Sequence, residues 1–234
     1  MCRVPYSSFV LAFAVLLSSA TAQASWNGTN QLVHGTANTL EQGEIMIGVF
    51  TPLAYGVNDS MTLVTHPIMT LLLTPNAGFR WRFLDGKHVD LALSLEGVRS
   101  FGAEELEGIR DENEPLGHVS SGLTVTFDIN NRLLLSMLTG YQRDMLPDAN
   151  LLTMGGSVHW LMSPVHLFTL QGSGRFNVTT NEWETPTVTL FYAHAWDTFR
   201  ASVGLAYGKF SILREGNNPL EVPVWPVLDM WWRF

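Results

Sequence analysis

The feature that most constrains this chain is a two-residue hydropathy period that recurs along most of its length. In HVDLALSLEGV (88–98), Val89, Leu91, Leu93 and Leu95 share one face, and Asp90, Ala92, Ser94 and Glu96 share the other. In GLTVTFD, Leu123, Val125 and Phe127 oppose Thr124, Thr126 and Asp128. The last residues repeat the pattern, with Leu228, Met230, Trp232 and Phe234 against Val227, Asp229, Trp231 and Arg233. Alternation places successive side chains on opposite faces of an extended strand, so each of these segments has one apolar and one polar side. Helical periodicity is nearly absent, and the fold class expected is all-β.

The turns test whether neighbouring strands agree. Closing LDGKH around Gly86 sets Phe83 opposite Val89, Trp81 opposite Leu91 and Phe79 opposite Leu93, and aligns Arg82 with Asp90 as an inward ion pair. Closing DINNR around Asn130 sets Phe127 against Leu133, Val125 against Leu135 and Leu123 against Met137. A turn at Ser163 pairs Trp160 with His166 and Val158 with Phe168; one at Asp197-Thr198 pairs Trp196 with Phe199, Tyr192 with Val203 and Leu190 with Leu205. A slip of one residue would mix the faces, so the four matches predict an antiparallel meander of hairpins. Longer polar stretches lie between the tight turns: SFGAEELEGIRDENEPLG, QRDMLPDAN, NVTTNEWETP and LREGNNPLEVP. Short turns at one end and long loops at the other describe a transmembrane, antiparallel, up-and-down β-barrel. Aromatic residues at strand ends (Trp81, Trp160, Trp196, Phe199, Trp232, Phe234) suit an interfacial girdle.

Composition sets the compartment. Residues 1–24 read as a cleaved secretory signal, with Arg3, an apolar run from Phe9 to Leu17, and Ala22-Gln23-Ala24 before the cut. Residues 25–234 then suit a single domain. Cys2, the one cysteine, leaves with the signal, so the mature chain has no disulfide and no thiol nucleophile. A formal charge of −8 argues against nucleic acid as a partner. Hydrophobic residues make up 46% and charged residues only 15%, so something other than water must cover much of the surface. A secreted sandwich or lipocalin-like barrel would turn the apolar face inward, but the long alternating strands and the terminal aromatics favour a bilayer.

With the signal, the hairpins and the ending LDMWWRF, the chain resembles the outer-membrane β-barrel proteins of Gram-negative bacteria. In that family a last strand ending in Phe, with apolar residues at alternate positions, is the signal read by the barrel-assembly machinery. Leu228, Met230, Trp232 and Phe234 hold those positions here, with Trp where the family often has Tyr. The resemblance implies outer-membrane lipid and lipopolysaccharide as surroundings and names no activity. Strands are expected near 43–50, 60–73, 78–84, 88–98, 117–128, 132–142, 151–161, 166–177, 186–196 and 198–212, followed by the last one. An even number is required, so LVHGTANTL (32–40) is taken as a twelfth strand, with ten strands the alternative. Pro67 and Pro75 bracket IMTLLL, which reads as a strand end, a bend or a short plug.

The faces turned inward carry Arg80, Arg82, Asp90, Ser94, Glu96, Thr124, Thr126, Ser157, His159, Gln171, Ser173, Arg175, Arg200 and Asp229. Both signs occur, as in a hydrated lumen whose groups either pair across strands or set selectivity. The expected function is a narrow passive channel for ions or small polar solutes. A closed structural or surface-interaction barrel is the alternative. A lipid-modifying enzyme is a third reading, because His118 and Ser120 weakly resemble the His-x-Ser of lipid A deacylases, with Glu96 or Glu114 to orient the histidine. The seven histidines show no metal-ligand spacing. The acidic stretch Glu104, Glu105, Glu107, Asp111, Glu112 and Glu114 reads as a solvated loop. No cofactor, metal or catalytic residue is assigned.

Overall fold

The structure, a computed structural model, describes residues 26, 28–71, 73–100, 116–145, 148–215 and 218–234, the side chains of 209–221 excepted. The signal segment with Cys2 and the acidic stretch 104–114 lie outside the described residues. In chain order the strands are β1 (Ile45–Gly48), β2 (Leu53–Asn58), β3 (Met61–Thr65), β4 (Asn76–Asp85), β5 (Val89–Arg99), β6 (Gly117–Asn130), β7 (Leu133–Met145), β8 (Ala149–Ser163), β9 (His166–Asn177), β10 (Glu182–Trp183), β11 (Thr187–Trp196), β12 (Phe199–Glu215) and β13 (Asn218–Arg233). Helix α1 (Pro67–Leu71) lies between β3 and β4. Twelve strands form a closed antiparallel ring in which β9 is followed directly by β11 and β13 returns to β1. The two-residue β10 pairs with β9 alone, outside the ring.

The twelfth strand is not the one expected. Residues 32–40 are not a strand, and β2 supplies the missing stave. Its alternation is weak because its inward positions, Ala54 and Gly56, are small. A Cβ at Gly56 would lie 1.9 Å from the Glu41 carbonyl oxygen. That close approach lets residues 43 and 44 exchange main-chain bonds with Gly56, at 2.8 and 2.9 Å, extending the ladder below β1. The stretch 60–73 breaks after Thr65 because Pro67 has no N–H for a ladder and a φ suited to the first turn of a helix.

Register follows the turns, with a correction. The β11–β12 hairpin has the pairing expected, Trp196 with Phe199 and Leu190 with Leu205. The other three hairpins are displaced by two residues: Phe79 faces Leu95, Phe127 faces Leu135 and Trp160 faces Phe168. Bulges at Phe83, Ile129 and Met162 accompany the shift. Two residues make one full pleat, so the faces are preserved away from the bulges. The direct Arg82–Asp90 pair is lost in this shift. Arg82 stands opposite Ala92 and bonds Asp85 at 3.2 Å, while Asp90 accepts from the Gly86 N–H at 3.1 Å. Two of the stretches read as long loops are hairpin tops instead, with β7 running to Met145 before β8 starts at Ala149, and β12 running to Glu215 before β13 starts at Asn218.

Outward positions form an apolar belt: Leu63, Leu95, Leu123, Met137, Met154, Leu170, Leu190, Val203, Leu205 and Leu228 are all more than a third exposed. At the tight-turn end the rings of Trp81 and Phe83, Trp196 and Phe199, and Phe199 and Trp232 lie 5.7, 5.5 and 5.1 Å apart. The ring closes where Met46, Ile47 and Gly48 face Arg233, Trp232 and Trp231. Ile45 and Phe234 exchange both backbone bonds there, at 3.0 and 2.9 Å.

Two outcomes are expected. Deleting Phe234 removes both of those closing bonds, so the variant should give less heat-modifiable, folded barrel than the full chain; an unchanged yield would contradict this. Leu190→Arg, on the outer belt, should cost about 2–4 kcal/mol in vesicle refolding titrations. Gln171→Arg, on the neighbouring strand but inside, should cost about 0.5 kcal/mol or less, and equal costs would mean the faces are misassigned.

Candidate functional site

The lumen is occupied by a segment of the chain that precedes β1, Trp26 and residues 28–40. The Trp26 N–H donates to the Pro164 carbonyl in the β8–β9 turn (2.5 Å), and a single 3-10 turn, Thr29–Gln31, follows. The chain then rises through Leu32 and Val33 to a tip at His34-Gly35, where Gly35 has φ of +70°. It returns through Thr36–Leu40 to the tight-turn rim and enters β1. Thr36, Ala37 and Leu40 are fully buried, and Leu32, Val33, Asn38 and Thr39 nearly so.

Local chemistry explains why this segment loops instead of joining the sheet. The Thr36 hydroxyl donates to the Leu32 carbonyl, and the Asn38 amide donates to the Thr29 and Leu32 carbonyls at 3.0 and 3.1 Å. Short Thr and Asn side chains thus supply the partners that a ladder would otherwise provide. The wall supplies the rest. Ala37 N–H donates to Thr126 Oγ1 (2.7 Å) and Leu40 N–H to Thr62 Oγ1 (2.9 Å). Ser157 Oγ donates to the Gly35 carbonyl (3.0 Å), and Arg80 reaches the carbonyls of Val33 (2.7 Å) and Asn38 (3.3 Å). Arg233 bonds the Gln31 carbonyl at 2.7 Å and forms a two-point ion pair with Glu44. Arg200 stacks over the Trp26 ring, 4.9 Å from its centroid.

Above and beside the plug lies a cavity of about 300 Å³. Its walls are mostly apolar (Leu32, Val33, Met46, Leu167, Phe191, Val227, Trp231), with His34, His159, Ser202 and Asp229 among the polar groups. Asp229 is held in place by the Phe50 and Thr51 N–H groups, at 3.0 and 3.3 Å, and by the Thr51 hydroxyl. The Nε2 of His34 is buried without a hydrogen-bond partner.

The residues assigned to the lumen from sequence separate into two groups. Arg80, Thr126, Ser157 and Arg200 touch the plug, and His159 stands beside its tip through a 2.8 Å bond to Ser157. Asp229 faces the cavity, and Thr124 is buried. Arg82 bonds the Asp59 carbonyl at 2.9 Å, and Ser94 donates to the Gly122 carbonyl at 3.3 Å. Glu96, Gln171 and Arg175 are exposed; Arg175 pairs with Glu184 at 2.7 Å. Among the described residues His118 and Ser120 make no hydrogen bond to each other. A different pair at the same spacing does meet: Ser157 and His159 are joined at 2.8 Å, and His159 Nδ1 lies 3.0 Å from Thr169 Oγ1. Nothing in a Ser-x-His spacing ranks it above His118-x-Ser120, so spacing alone could not choose between them. Thr169 carries no charge to stabilise an imidazolium, and Ser157 already serves the plug, so the pair is arranged as a latch.

No family model matches this sequence, and no curated protein matches it. Among solved structures the chain is similar to OmpT, an outer membrane protein of Vibrio cholerae. The in-vitro folded trimer form gives a TM-score of 0.44 at 8% identity, over 81% of this chain and 64% of that one. The outer-membrane expressed form gives 0.42 at 11%, over 92% and 72%. A further in-vitro folded form gives 0.42 at 11%, over 99% and 74%. The chain thus spans under two thirds of the first of these proteins, and likenesses this remote carry no activity across.

The plug tip has a built-in pH response. Burial, and then the positive charge of Arg80, hold the His34 imidazole down to about 4. A released histidine protonates near 6.5. Between those values the released plug binds more protons than the seated one, so seating is fully favoured above pH 6.5 and is progressively lost as pH falls toward 4. Protease nicking of the plug in refolded protein should therefore rise over that interval, and His34→Gln should flatten the rise. An equal rise in His34→Gln would place the response elsewhere.

Proposed function

We propose that this protein is a bacterial outer-membrane barrel, exported by a signal cleaved after Ala24, that passes small solutes through a lumen gated by its own N-terminal segment. The plug carries this reading. It is held to the wall by hydrogen bonds to hydroxyls and arginines, each exchanged for one to water on withdrawal at a net cost of about 0.5–1.5 kcal/mol, and by the burial of Trp26, Leu32, Val33 and Leu40 against the wall's apolar residues. A segment gripped in this way is closed at rest and removable. The apolar belt and the aromatic ends support the membrane position, and the exposed Glu96, Gln171 and Arg175 above the plug suit a wet vestibule. The narrow passive channel expected from the sequence is kept in this reading, with the plug added as its gate. Assembly through the terminal strand, with Leu228, Met230, Trp232 and Phe234 facing outward, and contact with lipopolysaccharide belong to the same reading.

Planar-bilayer recording tests it. The full mature chain should be closed for most of the record. A variant lacking residues 26–40, and the milder Arg80→Ala/Thr126→Val pair, should both conduct, with the deletion giving the larger and steadier openings. Folded, heat-modifiable deletion variant that stays as silent as the full chain would instead support the closed structural barrel.

A further inference from the structure

The ring is uneven in height. Strands β1, β2 and β3 contain 4, 6 and 5 residues, whereas β12 and β13 contain 17 and 16. At about 3.3 Å per residue the three short staves reach no more than roughly 20 Å, short of the roughly 30–36 Å of the 9–11 residues that a tilted membrane-spanning strand uses. As a result, beyond the Ile45–Phe234 bonds at the rim, the last strand meets β1 at Trp231–Arg233, with one further bond from the Val49 N–H to the Met230 carbonyl (2.9 Å). From Pro219 to Asp229 its ladder partner is β12 alone among the described residues. An open edge of this kind is not tolerated against hydrocarbon unless it borders protein or a cavity.

Among the described residues the β1–β2 turn stands at this gap. The turn is folded inward, tied to Asp229 through Phe50 and Thr51. Phe50, in that turn, is 66% exposed. An apolar side chain displayed at an opening in the wall fits a lipid surrounding and not an aqueous one. The cavity reaches this place directly: Phe50, Pro52, His66 and Val227 line it at the gap, and Leu32 and His34 line it at the plug. The rest of the lining is apolar over most of its area; among its polar groups, which include His66, Ser202 and Asp229, the His34 Nε2 is buried without a partner and free to bond an occupant.

We infer that the gap between β13 and the β1–β2 turn is a lateral doorway, through which a small, mainly apolar molecule with one polar group passes from the bilayer into the cavity beside the plug. This deepens the gated-passage reading by naming its substrate class. At about 300 Å³ the cavity stands at the lower limit of ligand sites, so the molecule is of single-ring or medium-chain size.

The test uses the full mature chain in phosphatidylcholine vesicles containing a medium-chain alkyl alcohol that bears a diazirine. After irradiation, adducts are mapped by peptide mass spectrometry. Adducts are expected on Leu32, Val33 and Trp231 as well as on outward residues. Val227→Trp, which fills the cavity at the gap, should lower the inner adducts about tenfold, equivalent to 1.4 kcal/mol of lost occupancy, and leave the outward ones unchanged. Ser202→Phe fills the same cavity from β12 and keeps the test in force should Val227→Trp fold poorly. Adducts confined to outward residues such as Leu228 and Met230, or inner adducts undiminished in both variants, would overturn the doorway. Either result leaves the conductance of the plug-deleted chain as it was, so the two readings fail separately.

Discussion

Main-chain amides placed in hydrocarbon must find their partners within the protein, and the rest of this structure depends on that requirement. It forces the sheet to close, and closure requires residues at both ends of the barrel domain to meet. The meeting is a short one, three ladder pairs between β1 and β13 and the two bonds of Ile45 with Phe234. A terminal strand with Trp232 and Phe234 facing outward is therefore a structural necessity of the seam. The same requirement makes the low wall at β1–β3 meaningful, because an unpaired edge on β13 must border something other than lipid chains.

Closure creates a second problem inside. A ring of about eight strands is just filled by its own side chains, and twelve leave a wider lumen. Small inward residues such as Ala54, Ala92, Thr126, Ser136 and Ser157 widen it further. The N-terminal segment fills part of that space with a backbone that satisfies many of its own bonds, and the wall completes the set with Thr62, Thr126, Ser157, Arg80 and Arg233. Glu44, at the foot of the plug, answers the charge of Arg233 in a position where an unpaired guanidinium would be costly. Lumen charge in this barrel thus holds a segment in place before it can select a solute.

How much of this was legible in the sequence follows from what each residue reports. Alternation reports burial on two faces, so β5, β6 and the last strand were readable wherever side chains meet lipid on one side. It is blind to bulges: nothing in Phe83, Ile129 or Met162 announces that each hairpin slides by two residues, and the Arg82–Asp90 pair was lost to that slide. The segment 32–40 enters the expected strand count only to make it even, and its Thr and Asn residues suit a loop that bonds to itself. Inward position was readable for Arg80 and Thr126; that they grip a plug was not, since their partners are backbone atoms far away in sequence. Gly56 and Ala54 hid a strand because small side chains leave no hydropathy contrast.

If the plug is seated as described, it seals the lumen at the level of Thr126. With Cys2 and the signal removed, Thr126→Cys supplies a single thiol at a position fully buried in this structure. Its rate of reaction with a membrane-impermeant maleimide, compared with the same substitution in the chain lacking residues 26–40, measures that seal directly. A seated plug should give protection in the intact chain and rapid labelling once it is gone. Equal, rapid labelling of both would show that the lumen is open with the plug in place, and would contradict the seal.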